Sequence, residues 1–132
     1  MTAARLELLD RVYEAWNRAD VDAIVAEMHP AMVVHLSGEY PGMPDTLHGP
    51  DGVRHFFALF GEVWETLRVE VERYEDLDDR TVALLRFVGR SHAGVPVERE
   101  AAHTVWVEDG LVVRLDAHGS WEEALAAAGV AR

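Results

Sequence analysis

The hydrophobic period of this chain changes once, at Leu67, and that change limits what it can fold into. Before Leu67, apolar residues recur at steps of three and four. From Leu67 onward they alternate, with Leu67, Val69 and Val71 standing between Arg68, Glu70 and Glu72. The first spacing places side chains on one stripe of a helix, the second on one face of a strand. Helices followed by a run of antiparallel strands make an α+β domain, with the helices expected to cover one face of a curved sheet. The whole chain, residues 1–132, has the length of a single domain.

Local signals divide the chain further. Leu6, Leu9, Tyr13 and Trp16 form the apolar stripe of a first helix, and Asp20 suits the N-cap of a short second one built on Val21, Ile24, Val25 and Met28. His29-Pro30 ends that helix, because the residue before proline is pushed out of the helical region. Met32 to Leu36 reads as a strand around His35. The segment from Ser37 to Pro50, with three prolines and three glycines, reads as a loop holding a short strand near Thr46-Leu47. A helix opening at Pro50 or Asp51 carries Val53, Phe56, Phe57 and Phe60 on one side and closes over Glu62 to Thr66. After Leu67, the turn signals at Asp76–Asp79, Gly94 and Asp109-Gly110 separate strands over Thr81–His92, Val97–Glu108 and Leu111–His118. Trp121 to Ala128 is a closing helix, capped by Ser120 and stopped by Gly129.

Composition removes whole classes of chemistry. Acidic residues outnumber basic ones 24 to 12, for a net charge of −12, and a field of that sign repels phosphate backbones and anionic membranes. No nucleic-acid or membrane partner is expected. The chain has no cysteine and no lysine, so thiolate, Schiff-base and Cys-ligated zinc chemistry are absent. Its serines, Ser37, Ser91 and Ser120, lie outside any Gly-x-Ser-x-Gly turn. No two histidines have His-x-x-x-His spacing, so neither a metal nor another cofactor is expected. The N-terminal residues lack the apolar run of a signal peptide, and no stretch approaches the ~20 apolar residues of a membrane span; a cytoplasmic location is the expectation. Histidine, aspartate, glutamate, arginine and tyrosine remain to carry chemistry.

Several strings, in this order, resemble the nuclear transport factor 2-like superfamily and its SnoaL-like branch of small polyketide cyclases. They are Tyr13-Glu-Ala-Trp-Asn-Arg-Ala-Asp20, Met28-His-Pro30, His48-Gly-Pro-Asp-Gly-Val-Arg-His-Phe-Phe57, Gly89-Arg-Ser-His-Ala-Gly94, Glu108-Asp-Gly-Leu-Val-Val-Arg114 and Glu122-Glu-Ala-Leu125. The resemblance implies a cone-shaped fold, a curved sheet wrapped around N-terminal helices with a deep pocket at the open end. It also implies a homodimer joined through the outer face of the sheet.

The resemblance then assigns candidate positions. His35 falls where similar ketosteroid isomerases place a general-base aspartate and similar epoxide hydrolases a water-holding asparagine; a histidine there is suited to accept a proton alpha to a carbonyl. The plainer reading of His35 is a core histidine bonded to a backbone carbonyl. His103 falls where the isomerases carry the acid that hydrogen-bonds the enolate oxygen, and could donate to an oxyanion; otherwise it is a partly buried sheet histidine. Arg86 matches one member of an inward pair in epoxide hydrolases. Pointing inward it would bind a carboxylate or oxyanion; pointing outward it would serve the dimer interface.

The family's first-helix tyrosine aligns with Val12, beside Tyr13, and the inward aspartate of the last strand aligns with Ala117, since Asp116 should face the other way. Neither family's full catalytic set is present. Trp16, Val33, Phe56, Phe57, Val88 and Leu115, with Tyr40 and Trp64 at the rim, complete an apolar lining suited to a flat carbonyl-bearing ligand such as a polyketide or steroid-like ring. Two readings follow: a cofactor-free isomerase or cyclase using His35, His103 and Arg86, or a non-catalytic binding or dimerisation module.

Overall fold

The structure, a computed structural model, describes residues 2–38, 40 and 42–130. Helix α1 (Thr2–Asn17) and the short α2 (Val21–Val25) precede strand β1 (Met28–His35). Then come β2 (Thr46–His48), α3 (Gly49–Val63), β3 (Trp64–Asp76), β4 (Thr81–Ser91), β5 (Pro96–Glu108), β6 (Leu111–His118) and α4 (Trp121–Ala128). The strands make one curved sheet in the order β2-β1-β6-β5-β4-β3. Every neighbouring pair is antiparallel except β1 and β6, which run parallel.

Two boundaries differ from the sequence reading. Strand β1 begins at Met28, taking in His29 and Pro30, whose fixed φ and missing N–H are tolerated where the pairing with β6 is irregular between Met28 and Val33. Helix α3 stops at Val63, and Trp64 is already extended, opening β3 three residues before the alternation becomes visible. At that bend Gly89 lies so close to the β3 backbone that a Cβ would sit 2.2 Å from the Thr66 carbonyl oxygen. Asp109 and Gly110, with φ of 53° and 75°, form the two-residue turn joining β5 to β6, as the Asp-Gly pair predicts.

The sheet has two unlike faces. Strict alternation brings Leu85 and Phe87 of β4, Ala101 and Val105 of β5, Ala117 of β6 and Val34 of β1 to an inner face, where they pack with Leu9, Val12 and Tyr13 of α1 and Phe56 and Phe60 of α3. The intervening residues Val82, Leu84 and Ala102 face outward, and α4 covers them with Ala124 and Leu125. Contrary to the expectation that the helices cover one face, α4 lies opposite the others, because its apolar pair has the even-numbered residues of β4 and β5 to bury.

Polar contacts fix α1 across the sheet. Asn17 spans the Val69 backbone, Nδ2 donating to its carbonyl at 2.9 Å and Oδ1 accepting from its N–H at 2.8 Å. At the other end Arg5 pairs with Asp76 at 2.6 Å, and Asp76 also accepts from the Thr81 hydroxyl. These bonds hold Tyr13 and Trp16 at a set depth over β4 and β5.

Candidate functional site

A cavity opens between α1, α3 and the inner face of the sheet. Of the side chains expected to line it, Val12, Trp16, Tyr40, Phe56, Phe57, Leu115 and His103 do so. Tyr13, Ile24, Met28, Val34, Leu36, Leu47 and Val53 complete the wall. Its polar side chains are Tyr13, Tyr40 and His103, together with the indole of Trp16, whose Nε1 is spent on the Leu67 carbonyl at 3.3 Å. The space open to the centre of a water molecule is about 60 Å³. An apolar cavity that takes benzene is about 150 Å³, so the inner chamber holds a fragment of a ligand rather than a fused ring system. A second, larger cleft of about 360 Å³ shares Tyr40 as a wall and is lined by Met43, Phe60, Trp64, Leu67, Phe87 and Arg99 among others.

His103 is the chemical centre of the inner chamber. Its cross-strand partners on either side are alanines, Ala83 on β4 and Ala117 on β6, and their small side chains leave the ring room. Ala117, expected on the cavity wall, is buried beside His103 in this way and serves as its neighbour. The Tyr13 hydroxyl lies 2.8 Å from His103 Nδ1, with the two rings stacked at 5.8 Å between centroids. Phe87 meets the imidazole edge-on at 6.5 Å.

Hydrogen-bond accounting assigns the proton. Tyr13 is buried and Nδ1 is its hydroxyl's partner among the described residues. Were Nδ1–H the donor, the hydroxyl proton and the Nε2 lone pair would both be without partners, against the single Nε2–H of the other tautomer, and each unmet group costs about 1–3 kcal/mol. The hydroxyl therefore donates to Nδ1, and the ring carries its proton at Nε2. No enclosed side-chain nitrogen or oxygen among the described residues lacks a partner. Nε2, which has no partner among the described residues, is therefore not fully enclosed, and His103 lines the chamber. Burial, aided by the nearby His118, lowers the pKa of His103 to about 3, and burial raises that of Tyr13 well above its usual value. The pair is neutral across the physiological range and presents one N–H to an apolar chamber.

His35 is placed otherwise than expected. Its flanking residues Val34 and Leu36 line the chamber, so alternation turns His35 to the outer face. There it borders a shallow depression with Ser37, Asp45 and Thr46, and stands in register with Asp116. Val33 shares that outer orientation, opposite Arg114. Arg86 also points outward, between Glu72 at 3.6 Å and Glu98 at 3.8 Å, with its guanidinium over the Trp121 ring. Val88 borders a separate groove with Arg68 and Arg90, and Trp64 lines the outer cleft rather than the inner chamber. The reason is common to His35, Val33, Arg86 and Val88: each is one residue out of phase with an inward neighbour. Asp116 faces away from the chamber as expected, paired with Arg114 at 2.9 Å. Among the described residues, no carboxylate and no second imidazole lines the inner chamber.

The resemblance sets Val12 in the place of the catalytic tyrosine and leaves Tyr13 as a neighbour able to lean in, outside the expected site residues. The step of three from Tyr13 to Trp16 already placed both on one stripe. Ile24 and Met28 had been read only as the core of α2. No cluster of three or more metal-ligating side chains occurs among the described residues, and no helix there is long and apolar enough to cross a membrane.

Known folds match this architecture closely. TerC, solved in co-crystals with polyporic acid, superposes with a TM-score of 0.81 at 21% identity, over 93% of this chain and 98% of that one. An NTF2-like protein from Burkholderia pseudomallei gives 0.82 at 22% identity, over 93% and 95%. A protein with a ketosteroid isomerase-like fold from Catenulispora acidiphila, solved with trimethylamine, gives 0.76 at 13% identity, over 95% and 94%. No curated protein sequence matches the chain. The SnoaL-like domain family matches residues 9–115, so the chain belongs to that family, and its fold is NTF2-like.

Proposed function

We propose that the protein binds a small apolar molecule by one carbonyl oxygen and does not take a proton from it. The observation that carries this reading is a neutral, Tyr13-oriented His103 with its Nε2–H left for a chamber that has no carboxylate and no second imidazole among its described lining residues. A buried neutral donor in apolar surroundings rewards an acceptor strongly, because little water competes for it. Enolisation needs a base as well as an oxyanion donor, and the candidate base, His35, stands on the far side of the sheet. The co-crystals of TerC with polyporic acid support ligand binding as a use of this fold.

Acetophenone and ethylbenzene differ by the carbonyl and test the reading directly. In amide chemical-shift titrations acetophenone should bind about three- to tenfold more tightly, with shifts centred on Tyr13 and His103. His103→Leu should abolish the preference while leaving ethylbenzene bound. Equal binding of the two probes to the unaltered protein would overturn the carbonyl assignment. Deuterium exchange at the methylene of a β-keto ester should be no faster with the protein than without it. A rate enhancement that His103→Leu removes would restore the isomerase or cyclase reading.

A further inference from the structure

We infer that the ligand is an anion, with a carboxylate or an equally acidic group held by Arg99 in the outer cleft while its carbonyl end reaches His103. This inference rests on the ligand-binding reading above and names the class of ligand. Arg99 stands on β5 between Glu98 and Glu100, but alternation separates it from both. Glu98 is turned toward Arg86 on the outer face, and Glu100 accepts from the Trp121 N–H there. Arg99 is left on the inner side, its guanidinium 5.9 Å from the Phe87 ring centroid, and it forms no ion pair among the described residues. The rest of the cleft is apolar and aromatic, with Tyr40, Phe60, Trp64 and Phe87 in its wall. An unpaired cation at the edge of an aromatic slot, on a chain of net charge −12, is a local reversal of the protein's field. It selects an apolar body that carries a negative charge.

The register sets the cleft and the chamber along one strand, with the Phe87 and Tyr40 rings between them. Arg99, Ala101 and His103 lie on the same side of β5, and Ala101 is buried and small. Four steps along the strand take Arg99 to His103, about 13 Å between Cα atoms at the usual rise. An aryl ketone acid spans that interval with its carboxylate on the guanidinium and its carbonyl toward Nε2. Tyr40, common to both compartments, would flank the middle of such a molecule. The small volume of the inner chamber fits this division: it takes the carbonyl end, and the cleft takes the body.

The test uses 4-acetylbenzoate and acetophenone, matched but for the carboxylate and each ending in a small acetyl group, titrated calorimetrically into the unaltered protein, Arg99→Met and Arg99→Lys. The acid should bind about tenfold more tightly than acetophenone to the unaltered protein, and less so as salt is raised. Arg99→Met should bring the ratio to one or below, and Arg99→Lys should keep part of it. Arg99 is exposed, so these variants should fold. Equal affinities in the unaltered protein, a preference that survives Arg99→Met, or binding of neither probe would overturn the anion site. The acetophenone result decides the His103 reading separately. If the carbonyl preference were absent there while Arg99 still selected the acid, the two-ended pose would fall.

Discussion

The two faces of the sheet are made from the same strands and have opposite chemistry. Outward, β4, β5 and β6 display Arg86 between Glu72 and Glu98, and Arg114 bonded to Asp116 and lying 4.5 Å over Trp106. These are half-exposed pairs, which water and salt screen. Inward, the same strands present Ala83, Phe87, Ala101 and Ala117 around one imidazole. A single hydrogen bond there decides which ring nitrogen carries a proton. Residue type alone does not distinguish the two settings; phase along the strand does. His35 and His103 are both strand histidines, yet one borders a shallow depression and the other an apolar chamber.

The contrast can be broken first by truncation. Phe87→Ala, which removes a ring that touches Trp16, Tyr40 and His103, should cost about 3–5 kcal/mol in denaturant unfolding. The acid limb of the stability curve sharpens it next. The folded His103 ring takes its proton near pH 3 and the unfolded ring near 6.5. Between those values the unfolded chain binds more protons, so stability should be complete above the window and fall as pH drops through it. A full shift of this kind is on the order of a few kcal/mol. His103→Leu should flatten that limb; an unchanged slope would mean that the ring is not held neutral. The smallest effects belong to the outer face. Arg86→Met should cost less than about 1 kcal/mol and His35→Ala about 0.5 kcal/mol or less, with acetophenone binding unchanged in both. Loss of that binding in His35→Ala would return His35 to the site.

The architecture was legible because it depends on period and turn chemistry. The Asp109-Gly110 turn, the Ser120 cap and the Gly129 stop fall where their side chains and backbone freedom require. The site was legible only in part. His103 was readable because it lies in phase with the buried Val105. His35 was misread because the β-branched run around it offers apolar neighbours on both sides, and only the register Val34 to Leu47 and Leu115 shows which set turns inward. The same ambiguity displaced Val33 and Val88. Arg99 drew no notice, since an arginine between two glutamates reads as a solvated run until the strand separates them by face. The side of the sheet taken by α4 was also unreadable, because an apolar helix stripe does not say which apolar surface it meets.

The parallel pairing of β1 with β6 has a consequence for biogenesis. The meander from β3 to β6 closes through neighbouring hairpins, whereas β1 must wait for a strand some eighty positions later in the chain, and Tyr13 must meet His103 across 90 positions. Such distant closures come at high entropic cost and slow the final step of folding. A nascent polypeptide that ends before β5 has the α1 half of the chamber and no imidazole to complete it. Ligand occupancy would therefore report that synthesis and closure are both finished.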